Sequence, residues 1–244
     1  MTSGLEALAR MDYPGRFIII GRDKSGLQDI VVYGITGRSP ASQARKFVWD
    51  KEKYAISVQP TDKKILLRGN PDLLIYPAII FRGDIAVSNG KQTEAIADYL
   101  SRHAEEKPLS ILEHSLKDWS FEPDHPTFTP RISGCITDHG AGIAIIKRSI
   151  SGACTKEYYQ ALLHAGKGSL LATYQGQNID PLPAFSGKPI EVALEGSTSH
   201  DIAEEVYARL GDLKVGVAVV LQDKYKENDV AIINRHTSLK KRAA

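Results

Sequence analysis

Cysteine is nearly absent from this chain. The two present, Cys135 and Cys154, lack C-x-x-C spacing. That excludes a disulfide-stapled scaffold and fits a reducing compartment. The histidines are scattered with no H-E-x-x-H, so no metal site can be read from spacing, and none is expected. Aromatic residues make up 7%, which leaves no stacking platform for single-stranded nucleic acid. Net charge is +2, far from the strongly basic balance of a nucleic-acid-binding domain. No apolar run approaches the ~20 residues of a membrane span. The N-terminus, Met1-Thr2-Ser3-Gly4, lacks a basic flank followed by an apolar signal core. The expectation is a cytoplasmic protein with no nucleic-acid or membrane partner. Phosphate-cradling loops of the GxxxxGK[ST] and GxGxxG types are missing, as is a GxSxG nucleophile elbow.

What remains is an ordinary globular composition, with 42% apolar and 25% charged residues in 244. No linker or repeat divides the chain. It reads as a single domain, 1–244, with an N-terminal extension over 1–12 and a basic tail over 236–244 as flexible ends. Strand signals dominate. Phe17–Ile20 and Ile30–Ile35 read as a β-branched hairpin turning through Lys24-Ser25-Gly26. Tyr54–Val58 is expected to pair with Lys64–Leu67. Ala78–Phe81 is expected to pair with Ile85–Val87. Thr93 is expected to cap a helix with Ile96, Ala97 and Leu100 on its apolar face. Pro108 starts another, with Leu109, Leu112, Leu116 and Trp119 at helical spacing. Strands resume at Ile132–Thr137, Ile143–Ile150, Leu170–Tyr174 and Ile190–Leu194. A capping box at Thr198–Asp201 opens a last helix, and Val215–Leu221 and Val230–Ile233 close the chain. Hairpins with helices in separate blocks mean α+β, and two stacked antiparallel sheets with helices outside would cover every sheet face.

Polar residues collect at strand ends. Gly37-Arg38-Ser39-Pro40-Ala41-Ser42-Gln43-Ala44-Arg45 sets two guanidiniums beside hydroxyls, a donor set that suits phosphate or carboxylate oxygens. Read singly, it also fits an ordinary polar loop. Asn70-Pro71-Asp72 runs toward Tyr76-Pro77, Ser88-Asn89-Gly90 ends a strand, and Glu122-Pro123-Asp124 leads to Thr129-Pro130-Arg131. Each alone fits a turn. Together they are expected to converge at one mouth.

The ordered set Tyr13-Pro14-Gly15-Arg16, Gly37-Arg38-Ser39, Ser88-Asn89-Gly90 and Thr129-Pro130-Arg131-Ile132 resembles the archaeal-type IMP cyclohydrolases and their bacterial relatives. The resemblance is clearest over 13–150, and Ala172-Thr173-Tyr174 extends it. It implies the N-terminal-nucleophile hydrolase fold, a four-layer αββα sandwich. It also implies closure of 5-formamidoimidazole-4-carboxamide ribotide to IMP with loss of water, in purine biosynthesis, by a homo-oligomer without a cofactor. The amidohydrolases of that fold class carry Cys, Ser or Thr at the start of strand one. Tyr13-Pro14-Gly15-Arg16 supplies none, so an acyl-enzyme is not expected.

On this reading Arg38 acts on the formyl oxygen or a nearby acceptor, and Tyr76 donates or shuttles a proton. A carboxylate from the slightly longer 122–124 loop orients the carboxamide or takes its proton. Glu122 and Asp124 both stand for that role, Glu122 first. Ser39, Arg45, Asn70, Asn89, Gly90, Asp124, Thr129 and Arg131 are candidates for phosphate, ribose or base contacts. The alternatives are an amidohydrolase of the same fold acting on another C–N bond, or a non-catalytic purine-nucleotide-binding module.

Overall fold

The computed structural model describes residues 5–62, 75–223 and 227–236. In chain order these form α1 (Glu6–Ala9), β1 (Arg16–Arg22), β2 (Asp29–Thr36), α2 (Pro40–Gln43), β3 (Arg45–Asp50), β4 (Ala55–Pro60), β5 (Tyr76–Arg82) and β6 (Asp84–Ser88). There follow α3 (Gln92–Leu100), α4 (Pro108–Ser115), β7 (Arg131–Thr137), β8 (Gly140–Arg148), β9 (Cys154–Ala161), β10 (Lys167–Ala172) and β11 (Ile190–Ala193). The last three are α5 (Ser199–Arg209), β12 (Lys214–Gln222) and β13 (Asp229–Asn234). The architecture is α+β, built on two antiparallel sheets.

The six-stranded sheet has the order β11-β10-β1-β2-β12-β13, and the seven-stranded sheet runs β3 to β9 in sequence. Strands β1, β2 and β12 are buried on both faces, so they read as continuous apolar runs rather than alternating ones. The register pairs Ile18 with Tyr33, and Tyr33 with Ala218. Between the sheets lies one large apolar core containing Ile18, Ile20, Tyr33, Ile56, Val87 and Ile132. Each large apolar side chain fully buried there contributes about 1.5–3 kcal/mol. Gly134 lets the sheets approach, since a Cβ there would sit 2.5 Å from Ile20 Cδ1. On the outer face of the seven-stranded sheet, Ala86, Cys135 and Ala144 pack under Ile96, Leu100, Ile111 and Leu112 of α3 and α4. Helix α5 lies on β12 and β13 with Ile202, Ala203 and Val206 buried. The layers therefore run helix, sheet, sheet, helix.

Several expectations need correction. Residues 5–12 are not a loose extension, because Leu5, Leu8 and Met11 are buried in the same apolar cluster as Ile202 and Val206, and α1 lies against α5. Strand β4 pairs with β3 and β5, and the expected partner Lys64–Leu67 lies outside the described residues. Thr93 is not an N-cap. It is buried inside α3, with its hydroxyl on the Gly90 carbonyl oxygen at 2.9 Å. Ile150 is fully exposed, beyond the end of β8. Strands β3 and β9 were not expected at all. Both end the seven-stranded sheet, where Lys46, Lys156 and Glu157 break the apolar pattern, as charges on edge strands commonly do. The capping box at Thr198 is present, with its side chain accepting from the Asp201 amide at 3.1 Å.

Candidate active site at one end of the sandwich

The strand ends at which β1, β5 and β7 begin bring the polar clusters together. The turn into β1 is held by Gly15, whose φ is +73° and whose carbonyl oxygen accepts from the Thr36 amide (2.7 Å) and hydroxyl (2.9 Å). A side chain is excluded at Gly15, because its Cβ would lie 2.2 Å from Thr173 Oγ1. That same hydroxyl donates to the Pro14 carbonyl oxygen (3.1 Å) and accepts from the Arg16 amide (3.1 Å). The backbone of Arg16 is thus fixed from both sides.

The Arg16 side chain is the centre of the cluster. Its Nη2 meets Glu122 Oε1 at 2.8 Å, with the two side chains 11% and 4% exposed. Burial works against its charge. Glu122 foremost, then the phenols of Tyr76, Tyr174 and Tyr33, overcome that and hold the guanidinium firmly protonated. Arg16 Nε is buried with no hydrogen-bond partner among the described residues. Arg131 Nη1 lies 3.9 Å from the same Glu122 oxygen and donates to Gln92 Oε1 at 3.0 Å. Its guanidinium also lies over the Trp119 ring at 5.2 Å, and its Nε donates to the Ser120 carbonyl oxygen. Burial, helped by repulsion from Arg16 and opposed by Glu122, lowers the Arg131 pKa.

Three phenols surround this pair. Tyr76 and Tyr33 share a buried hydrogen bond of 2.9 Å between their hydroxyls. Burial, with Tyr76 adding to it, pushes Tyr33 well above the ordinary phenol range, against the pull of Arg16 and Arg45. Tyr174 OH meets Thr129 Oγ1 at 2.9 Å, and Thr129 donates from its hydroxyl and amide to Asp124 at 2.5 and 2.7 Å. Burial raises Tyr174 too, partly offset by Arg16 and the Thr129 bond. Tyr13 stacks on Tyr174 with centroids 5.6 Å apart, and the Arg38 guanidinium lies 5.3 Å from the Tyr13 centroid. Arg38, Tyr76 and Glu122 are therefore joined through Tyr13, Tyr174, Tyr33 and Arg16.

The expected residues play unequal parts. Among the described residues Arg38 has only long polar contacts, to the Ile179 carbonyl oxygen (3.4 Å) and to exposed Asp180 (3.8 Å), which leaves donors for an anion. Glu122 is buried with its carboxylate on Arg16, whereas Asp124 is spent on its own loop through Thr129. Ser39 caps α2 by accepting from the Ser42 amide. Arg45 is buried, donates to the Ser42 carbonyl oxygen, and bears electrostatically on Tyr33. Asn89 accepts from the Ile132 amide and Gln92 and donates to the Pro130 carbonyl oxygen, which makes it a clasp between β6 and β7. Gly90 leaves room, since a Cβ there would sit 2.6 Å from Arg131 Nη1. Asn70 lies outside the described residues.

Sequence reasoning missed Arg16, Tyr33, Tyr174 and Gln92 as site residues. Arg16 was legible as part of a motif, but its partner Glu122 is far along the chain. Tyr33 sits inside an apolar strand and gives no local signal.

Other polar groupings suit the chemistry less well. A cleft of about 640 Å³ opens at the opposite end of the sandwich, lined by Asp29, Asp84, Glu105, Asp138 and Asp223 with Arg82 and His139. Its carboxylates would repel a phosphate. His103, Glu105 and Glu106 bring ligand atoms within 4.8 Å of one another on the α3–α4 connection, beside that cleft, which Glu105 also lines. Glu105 is exposed there, and His103 already lies 3.5 Å from Glu106.

Among the described residues, no helix is long and apolar enough to cross a membrane. A search of curated proteins finds no match to the chain. A protein family described as IMP cyclohydrolase-like protein matches residues 13–228.

Proposed function

The chain belongs to the IMP cyclohydrolase-like family, and from that premise we propose that it closes 5-formamidoimidazole-4-carboxamide ribotide to IMP with release of water. The family is one of hydrolases acting on a cyclic amidine C–N bond, and its substrate is a purine ribotide. The observation that carries the reading is the family match over most of the chain. The gathering of Glu122 and Tyr76 around Arg16, with Arg38 on the Tyr13 ring that stacks on Tyr174, supports it.

The substrate holds both reacting atoms. The carboxamide nitrogen attacks the formyl carbon and a C–N bond forms. The carboxamide nitrogen loses one proton and the former formyl oxygen gains one. The C–O bond then breaks as the formamido nitrogen gives up its proton and forms the C=N bond, and the oxygen departs as water. Positioning alone can supply up to ~7–11 kcal/mol in an intramolecular closure. Arg38 donates to the formyl oxygen as negative charge develops on it. Tyr76 delivers the proton to that oxygen. Glu122, held on Arg16, orients the carboxamide and draws its proton. Arg45 and Arg131 meet the phosphate and ribose side, with Ser39, Asn89, Gly90, Asp124 and Thr129 shaping the wall. The first residue of β1 is Arg16, which offers no nucleophile, so an amidohydrolase reading is disfavoured. The N-terminal-nucleophile hydrolase fold, homo-oligomeric assembly and a cytoplasmic setting belong to the same proposal.

The test is a spectrophotometric assay of the purified protein with the formamido ribotide, with and without a chelator, beside Arg38→Ala. Wild-type turnover and loss in the variant are expected. Arg38 is partly exposed with weak partners, so the melting temperature should hold. A wild-type protein that binds IMP without turnover would overturn the catalytic reading. Near-normal turnover in Arg38→Ala would remove Arg38 from the mechanism.

A further inference from the structure

Tyr33 is the most deeply placed of the ionisable groups near the cluster, and the mechanism above does not use it. It sits in the middle of β2, between β1 and β12, with no exposed surface. Its ring packs edge-on against Phe47 of β3, in the other sheet, at 5.8 Å, so both sheets hold its position. Its hydroxyl reaches across the inter-sheet space to Tyr76, the first residue of β5 in the other sheet. Among the described residues that hydroxyl has no other hydrogen-bond partner. Phenylalanine would fill the same space without burying a hydroxyl.

The direction of this bond has a chemical consequence. Each phenol has one proton to donate and an oxygen that accepts. If Tyr76 donated to Tyr33, the Tyr33 proton would point into the apolar core, where no described residue accepts it, an arrangement folded proteins avoid. If Tyr33 donates, its own proton is satisfied and the Tyr76 proton is left to point elsewhere. We propose that Tyr33 is a positioning residue whose hydroxyl donates to the Tyr76 oxygen, fixing the Tyr76 ring and turning the Tyr76 proton toward the bound ribotide. The inference deepens the cyclisation reading and rests on it for its catalytic meaning. Burial keeps Tyr33 protonated at any pH at which the enzyme works, so the donor is never lost. The neighbouring Arg16 charge favours electron density on both phenol oxygens and so strengthens the bond that Tyr33 donates.

Two measurements test it, and they fail separately. Tyr33→Phe keeps the ring and removes only the hydroxyl. It should lower kcat about tenfold with KM within about twofold, and it should cost nothing further in a Tyr76→Phe background. A wild-type kcat in Tyr33→Phe, or the same loss in both backgrounds, would overturn the proposal. Neutron diffraction on the deuterated wild-type protein should place a deuteron on the Tyr33 oxygen pointing at Tyr76. A deuteron running from Tyr76 to Tyr33 overturns the proposal whatever the turnover. An inactive wild-type protein would sink the cyclisation reading, and the neutron map would still decide the bond.

Discussion

Replacing Arg16 by Met should be among the most destabilising single changes available at this end of the molecule. The substitution keeps much of the apolar stem and removes the guanidinium, which leaves Glu122 buried with its charge uncompensated. Breaking one partner of such a pair costs ~3–5 kcal/mol. Arg131 stands 3.9 Å from the same carboxylate and neutralises part of the charge that remains, so the lower end of that range, about 3 kcal/mol, applies here. With a urea dependence near ~3 kcal/mol per molar, the unfolding midpoint should fall by about 1 M. Glu122→Gln added to Arg16→Met removes the stranded charge and should restore at least about 2 kcal/mol, because the penalty lies in the unpaired ion. The assay is urea unfolding of the wild type and three variants (each single and the double), followed by far-ultraviolet circular dichroism. Arg16→Met losing less than about 1 kcal/mol, or a double variant no more stable than Arg16→Met, would refute the picture of a buried, mutually dependent pair.

Two further outcomes are expected. Burial pushes the Cys135 thiol far above its ordinary range, while Cys154 is exposed, so a thiol reagent should titrate one cysteine in the native protein and both in denaturant. Two fast native thiols would contradict the packing under α4. At Asp23, burial alone would raise the pKa, but the Ser25 hydroxyl and the amides of Gln28, Ser25 and Leu27 outweigh it and hold the carboxyl below its usual value. A depressed carboxyl stabilises the fold above its unfolded pKa of ~3.9, and that stability is lost as pH falls through the folded value. Asp23→Asn should therefore melt lower than wild type at neutral pH, with the gap closing in acid. A gap independent of pH would remove Asp23 from the β1–β2 turn.

Much of the fold was legible because its central strands are buried on both faces. Such strands write themselves as β-branched runs, and the β1–β2, β5–β6 and β7–β8 pairs followed from turns of ordinary chemistry. The edges were not legible. β9 carries Lys156, Glu157 and Gln160 in a half-exposed strand whose order comes from pairing with β8, a partner no local pattern reveals. The same division runs through the site. Arg38, Glu122 and Arg131 stand out because charged groups cluster beside glycine and proline at strand ends. Arg16, Tyr33 and Tyr174 acquire their meaning only when distant segments meet, Arg16 and Glu122 across 106 residues, Tyr174 and Thr129 across 45, and Tyr33 and Tyr76 across 43. Thr93 shows the opposite error, a residue of capping type enclosed within its helix because Ser88 and Gly90 take its hydroxyl.

Arg16 and Tyr33 belong to one sheet, while Tyr76 and the loop bearing Glu122 belong to the other. The polar bonds at this end thus act as rivets through a seam otherwise held by grease. Should the two halves slip or part by even a fraction of a strand spacing, both rivets shear at once. Any partly opened form of the molecule is then catalytically silent before it is unfolded, and heat inactivation should run ahead of the loss of secondary structure.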